Sequence, residues 1–210
     1  MLQPTSSEFL LKFIEAFTEC YPETPEARSI AWTNWTAFIM GKEGKTAGYW
    51  TERQVLPLTA KKLGLRHDYE YLNLDLVMFP AGEKWGNLVA IEHENEITRF
   101  GEEVEKLLSV LAPLKVGITY DLNDNAGNRA RTESLISNYF STRHEQIHEA
   151  PGTEYLFLLG VVGAAGSLAW RFISFNTSNG PTNCQFQDTA NVFLFEAAAK
   201  PRVLRSSAGG

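Results

Sequence analysis

A short apolar strand that runs directly into two glutamates places the strongest constraint on how this chain folds. Residues 88–91 are apolar and are followed by Glu92 and Glu94, two positions apart. In a β-strand, residues i and i+2 share a face and lie roughly 7 Å apart. A second apolar run, 71–79, carries one acid, Asp75, and comes just before this strand. Burying these carboxylates is costly, and a divalent cation is the economical compensation because hard cations take oxygen ligands.

Composition and charge indicate a cytoplasmic globular protein. The chain has 210 residues, of which 44% are hydrophobic and 21% charged, which suffices for one α/β domain with a sizeable core. A net charge of −6 argues against a basic coat that grips nucleic acid non-specifically, although it leaves a local basic groove open. Neither a signal peptide nor an apolar run of roughly 18 residues is present, so no membrane partner is expected. Cys20 and Cys184 are expected to be free thiols.

Hydrophobic periodicity predicts alternating helices and strands in one domain over residues 1–199, followed by a flexible tail over 200–210. The predicted helices cover a segment beginning at Ser6 or Ser7, then 28–40, 52–65, 98–111 and 128–149. The predicted strands cover 68–79 (one long strand or two short ones), 87–94, 114–120, 155–162, 168–175 and 189–195. This order indicates two antiparallel hairpins and one right-handed strand–helix–strand crossover. The expected fold is a central mixed β-sheet with helices on both sides.

The position of the acids within this order resembles the restriction-endonuclease-like superfamily, the PD-(D/E)XK nucleases. The family pattern places an acid on one strand of a hairpin and an acid-x-lysine on the next. Asp75 and Glu92 match the two acids, while Glu94 stands where the lysine usually is, as in the E-x-E variant of some restriction enzymes. Leu74 replaces the proline of the pattern. The resemblance covers roughly residues 52–120, about a third of the chain.

The resemblance implies a metal-dependent phosphodiesterase, a nuclease, for which DNA and not RNA is the expected substrate. Asp75 and Glu92 would bind Mg²⁺ or Mn²⁺, and Glu94 would complete the metal's ligand shell or act as a base toward water. Glu52 occupies the place of a glutamate that the family often carries near the start of the helix before the hairpin. It would support a second metal or orient the first. A homodimer fits this class, since pairs are common where two strands must be cut.

The lysine that this family uses to orient or deprotonate the attacking water is missing from its usual place. Lys115, at the start of the adjacent strand, and Lys106, on the crossover helix, are the candidates to replace it. Each also fits an ordinary surface or strand-end lysine. His93 lies between the two glutamates, so its side chain is expected to point to the opposite face and to be packed or hydrogen-bonded.

Two other classes of function stay open. The missing lysine and the negative net charge favour a non-catalytic binding or regulatory protein on the same fold. A carboxylate-pair hydrolase, for instance on glycosides, would need acids that flank a bond. Glu92 and Glu94 on one strand edge are poorly placed for that. A small basic run, Lys61, Lys62 and Arg66, is either a contact for phosphates or a charged helix exterior.

Overall fold

A seven-stranded mixed β-sheet organises the chain in the computed structural model. The structure describes residues 3–20, 51–71, 73–82, 86, 88–94, 97–121, 125–143, 150–162, 168–178, 184–188, 193–194 and 202–203. The predicted helix at 28–40 lies outside these residues, as do most of the predicted strand at 189–195 and most of the tail.

The helices are α1 (Ser6–Glu19), α2 (Leu56–Lys62), α3 (Phe100–Ser109) and α4 (Ala126–Arg143), and a π-helical turn (Thr51–Val55) leads into α2. The strands of the main sheet are β1 (Leu65–Tyr71), β2 (Leu74–Pro80), β3 (Val89–His93), β4 (Leu114–Asp121), β5 (Glu154–Val162), β6 (Leu168–Asn176) and β7 (Gln187–Asp188). Two short strands, β8 (Phe193–Leu194) and β9 (Arg202–Val203), form a separate antiparallel pair.

The strands lie side by side in their order along the chain. Strands β1, β2 and β3 are antiparallel neighbours, β3, β4 and β5 are parallel, and β5, β6 and β7 are again antiparallel. Both predicted hairpins are therefore confirmed, as β2–β3 and β5–β6. Helix α3 connects β3 to its parallel neighbour β4, which confirms the predicted strand–helix–strand unit.

Two apolar cores cover the two faces of the sheet, as predicted. On the first face, α1 and α2 pack through residues such as Phe13 and Leu56 against strand residues such as Ile91. On the second face, α3 and α4 pack through residues such as Phe100 and Phe140. Because strand residues alternate between the faces, neighbouring residues of β3 belong to different cores.

Three element boundaries differ from their predicted positions for local reasons. Helix α1 is capped by Thr5 and not by Ser6 or Ser7. The hydroxyl of Thr5 accepts from the Glu8 N–H at 3.2 Å, and the Glu8 carboxylate accepts from the Thr5 N–H at 2.9 Å. The predicted helix at 52–65 is a π-helical turn followed by the short α2. The segment 68–79, predicted as one long strand or two short ones, forms two strands joined by a turn where Asn73 has a positive φ of 64°, and the first of them begins earlier than predicted, at Leu65.

In the part of the chain that the structure describes, no helix combines the length and the apolar character needed to cross a bilayer.

Candidate metal centre

Three carboxylates from three elements meet on the second face of the sheet. Asp75 lies near the start of β2, Glu92 near the end of β3, and Glu103 in the first turn of α3. One carboxylate oxygen of each lies within 4.8 Å of the corresponding oxygen of the other two. Carboxylate oxygens that converge in this way are the donors that Mg²⁺, Mn²⁺ and Ca²⁺ prefer.

Strand register brings the first two acids together. Leu76 pairs with Ile91 in the antiparallel β2–β3 ladder, so the preceding Asp75 faces the following Glu92. The hairpin predicted from the sequence is thus sufficient to place these two carboxylates side by side.

Helix α3 brings the third acid. Its apolar side, which includes Phe100 and Val104, is fully buried against the second face, and Glu103 lies on that same side. Gly117 of β4 pairs with Glu92, and a Cβ at Gly117 would lie 2.8 Å from the ring of Phe100. The absence of a side chain at Gly117 therefore lets α3 approach the sheet closely enough for Glu103 to reach Glu92.

The Glu92 carboxylate is buried without a hydrogen-bond partner. Its side chain is 0% exposed, and neither oxygen has a partner among the described residues. Burial, then contact with Glu103, then the charge of Asp75 raise the pKa of Glu92 to about 10, and Lys106 opposes this shift. Buried polar groups are nearly always paired, so an exception that points into a cluster of acids is typical of a functional site.

Lys106 is the cation beside this cluster. Its ammonium lies 2.5 Å from Glu103 Oε2 and 3.6 Å from Glu92 Oε2, and its side chain is 45% exposed. Burial alone would lower the pKa of Lys106, but the hydrogen bond to Glu103 and the neighbouring carboxylates outweigh it and leave that pKa raised. Burial would raise the pKa of Glu103, yet its contacts with the Glu92 carboxyl and the Lys106 ammonium leave it lowered. A pKa of about 10 leaves Glu92 protonated at neutral pH, so one ammonium faces two carboxylates, and a divalent cation that displaced this proton would satisfy all three acids.

A second partnerless polar group lies on the same face. By strand alternation, Thr119 of β4 points to the same side as Gly117, the residue paired with Glu92. The Thr119 hydroxyl is fully buried and, in the described part of the chain, has no hydrogen-bond partner.

Glu94 lies outside the group of mutually close carboxylates found in the described residues. Strand β3 ends at His93, so Glu94 follows the strand, and its Oε2 lies 3.8 Å from Nε of Arg99. The structure brings Glu103 into the position that the sequence analysis assigned to Glu94. A role for Glu94 in the metal's ligand shell stays a prediction.

Glu52 and Lys115 lie away from the cluster. Glu52 packs on the first face, where its Oε2 is 3.9 Å from Nδ1 of His93. Lys115 is only 1% exposed and donates to the Tyr155 hydroxyl at 3.0 Å. Of the two ordinary interpretations of Lys115, a surface lysine is wrong because the side chain is buried, and a strand-end lysine agrees with its position at the start of β4. Of the two lysines considered from the sequence, Lys106 is the one that reaches the acids.

The helical periodicity of the sequence itself singles out Glu103, which the predicted site did not include. On a helix, residues three and four apart share a face, so Glu103 falls within the apolar stripe formed by Phe100, Val104 and Leu107. An acid inside a buried stripe is costly and marks a candidate functional residue.

Comparison with models of known protein families, with curated protein sequences and with solved structures found no match to this chain. The fold and the site thus define a class only, a mixed-sheet α/β protein with a buried three-carboxylate cluster and an adjacent lysine.

Proposed function

We propose that this protein is a metal-dependent phosphodiesterase, a nuclease that acts on DNA, with Mg²⁺ or Mn²⁺ held by Asp75, Glu92 and Glu103. The observation that carries the proposal is the Glu92 carboxylate, which is fully buried, lacks a hydrogen-bond partner among the described residues and faces two further carboxylates. A divalent cation satisfies all three acids at once. Without one, the chain would bear a buried acid that the Lys106 ammonium, 3.6 Å away, compensates only in part.

The chemistry follows from the residues around the cluster. A bound divalent metal would lower the pKa of a water and offset charge on a phosphate. Lys106 supplies the positive charge that the sequence lacks at Glu94, and its half-exposed ammonium can reach a water or a phosphate oxygen next to Glu103. Asp75 accepts from the main-chain N–H of His93 at 2.7 Å, which fixes the direction of its carboxylate.

A groove with both basic and apolar side chains lies on the first face of the sheet, opposite the carboxylate cluster. The groove has a volume of about 560 Å³ and lies between α2 and β1, with Gln54, Lys61, Arg66 and His67 in its wall. Within the described residues, neither Lys61 nor Arg66 forms an ion pair with an acid. Lysine and arginine are the usual contacts for phosphates. The Arg66 guanidinium lies over the Phe79 ring at 5.4 Å, so Lys61 is the stronger candidate of the two.

A cleavage assay with a matched pair of variants tests the proposal. Single- and double-stranded DNA and RNA would be incubated with Mg²⁺, Mn²⁺ or EDTA. Glu103→Gln should lower the rate by about a hundredfold or more, since it removes one ligand of the metal. The neighbouring Glu102, whose side chain is 70% exposed, provides the control, and Glu102→Gln should leave the rate unchanged. Cleavage in EDTA, or full activity in Glu103→Gln, would contradict the proposal.

One observation favours a non-catalytic protein on this fold as the second candidate. Lys106 already bridges Glu103 and Glu92, so it partly neutralises the cluster. In that case the lysine is the permanent partner of the acids, and no cation binds. The melting temperature separates the candidates, because a ligand that binds the folded state raises it. A concentration-dependent rise with Mn²⁺ supports the metal site, and no rise supports the non-catalytic protein.

A further inference from the structure

His93 contacts both faces of the sheet. Its main-chain N–H donates to Oδ2 of Asp75 at 2.7 Å, which places a hydrogen bond directly on a proposed metal ligand. Its ring points to the opposite face, as the sequence analysis predicted, and Nε2 lies 2.8 Å from the Tyr120 hydroxyl. The residue therefore joins the metal cluster to a buried network on the first face.

That network ties three elements together. The Tyr120 hydroxyl donates to Oγ1 of Thr51 at 3.1 Å, so its oxygen can accept from Nε2 of His93 in the tautomer that carries the proton there. On the other side of the ring, Oε2 of Glu52 lies 3.9 Å from Nδ1. Thr51 and Tyr120 are almost completely buried. The imidazole is thus held between β4 and the π-helical turn that leads into α2.

The side chain of His93 holds the backbone at the end of strand β3. Strand β3 ends at His93, and the N–H of the next residue, Glu94, makes the last contact with β4 by donating to the Ile118 carbonyl at 2.8 Å. Strand ends open locally at a lower free energy than strand centres. The N–H that orients Asp75 is the last one of this strand, and a side chain locked on the opposite face keeps it in place.

We propose that His93 is a positioning residue for the metal centre. Its ring, held by Tyr120 and the 51–52 turn on the first face, fixes the main-chain N–H that orients the Asp75 carboxylate on the second. The proposal rests on the proposed function for its link to metal binding. Hydrogen bonds to ligating carboxylates tune metal affinity in general, with effects of roughly 10- to 100-fold when a partner is removed.

Tyr120→Phe tests this role because it removes one hydroxyl and keeps the ring against Trp170. Tyr155→Phe is the matched control, since Tyr155 is a buried tyrosine on the neighbouring β5 whose hydroxyl bonds Lys115 and not His93. Hydrogen exchange of the His93 amide in metal-free protein is the first readout, with the Ile91 amide as reference. Loss of one buried hydrogen bond should speed exchange at His93 by roughly three- to tenfold in Tyr120→Phe and leave it unchanged in Tyr155→Phe.

The dissociation constant for Mn²⁺ is the second readout. We expect it to rise about tenfold in Tyr120→Phe and to stay within twofold of wild type in Tyr155→Phe. If Tyr120→Phe folds poorly, Thr51→Val replaces it as the test variant. It removes the acceptor of the Tyr120 hydroxyl, and we expect it to change both readouts in the same direction.

Equal effects of the two tyrosine variants, or unchanged exchange at His93, would overturn the positioning role. A wild type that fails to bind Mn²⁺ overturns the proposed function instead. The exchange measurement needs no metal and still decides whether the ring fixes the N–H.

Discussion

Glu92 shows how a single residue can work against stability. A carboxyl without solvent or a hydrogen-bond partner is destabilising, and it lies beside two further acids. Such a residue is expected where function and stability conflict. The ammonium of its neighbour Lys106 offsets part of the negative charge of the cluster.

Glu92→Gln should stabilise the metal-free protein and abolish its response to metal. The amide keeps the shape and has two N–H donors, one more than the protonated Glu92 carboxyl, so it can donate to both Asp75 and Glu103, and we expect a gain of about 1 kcal/mol. A gain of that size raises the melting temperature of a chain of this length by about 2–4 °C. Thermal denaturation with and without Mn²⁺ measures both effects. A lower melting temperature in the metal-free variant would show that Glu92 serves as a structural partner of Lys106.

Lys106→Ala should separate metal binding from turnover. Removing the ammonium leaves three carboxylates without their cation, so the affinity for Mn²⁺ should stay equal or rise. The cleavage rate should fall at least about tenfold, because the positive charge beside the reacting phosphate is lost. Lys106→Arg keeps the charge and serves as the control. Parallel loss of Mn²⁺ binding and cleavage in Lys106→Ala would contradict this division of roles.

At the scale of elements, the site depends on how α3 is seated on the sheet. Glu103 and Lys106 are three residues apart and therefore share a helix face. Their distance from Glu92 is set by the contact between Phe100 and β4, at the bare backbone of Gly117. Any change that lifts α3 should move both side chains away from the acids of the hairpin.

Gly117→Ala should weaken both folding and metal binding. A Cβ there would lie 2.7 Å from Phe157 and 2.8 Å from Phe100, so the rings must move, at a cost of about 1–3 kcal/mol. Gly127→Ala, on the exposed start of α4, should be neutral or mildly stabilising, since alanine favours a helix by up to about 1 kcal/mol. Melting temperature and Mn²⁺ affinity measure the outcome. A variant that loses stability but keeps full affinity for Mn²⁺ would show that the packing of α3 on Gly117 does not determine the geometry of the site.

At the scale of the whole molecule, charge is unevenly distributed. The chain carries a net charge of −6, yet the groove between α2 and β1 gathers Lys61, Arg66 and His67. A protein repelled by nucleic acid overall needs such a local surface to hold it.

Replacing Lys61 and Arg66 by alanine should weaken binding to DNA and reduce its salt dependence. Each phosphate contact contributes close to one unit to the slope of log affinity against log salt, so the double variant should lose about two units. Lys12→Ala is the control, because Lys12 is paired with Glu15 on α1. Fluorescence anisotropy of labelled DNA without metal measures both. An unchanged slope would show that the groove does not contact the DNA.

Local patterns in the sequence were sufficient for most of the architecture. Alternation and helical periodicity predicted the hairpins, the helices on both faces and the strand–helix–strand unit, because each depends on neighbours close in the chain. The same patterns placed Asp75 beside Glu92, since a hairpin joins them. They also predicted that the His93 ring faces away from these acids.

By itself, the sequence determined the two hairpins and the strand–helix–strand unit, because alternation and hairpin order are local properties. It predicted that Asp75, Glu92 and Glu94 meet, and of these the structure brings Asp75 and Glu92 together. The tertiary structure decided the rest of the site. Strand β3 ends before Glu94, and α3 packs on Gly117, so that Glu103 and Lys106 reach the acids of the hairpin. Lys115 is instead buried beside Tyr155. The position of a helix on a sheet depends on packing between residues distant in the chain, which no local periodicity contains.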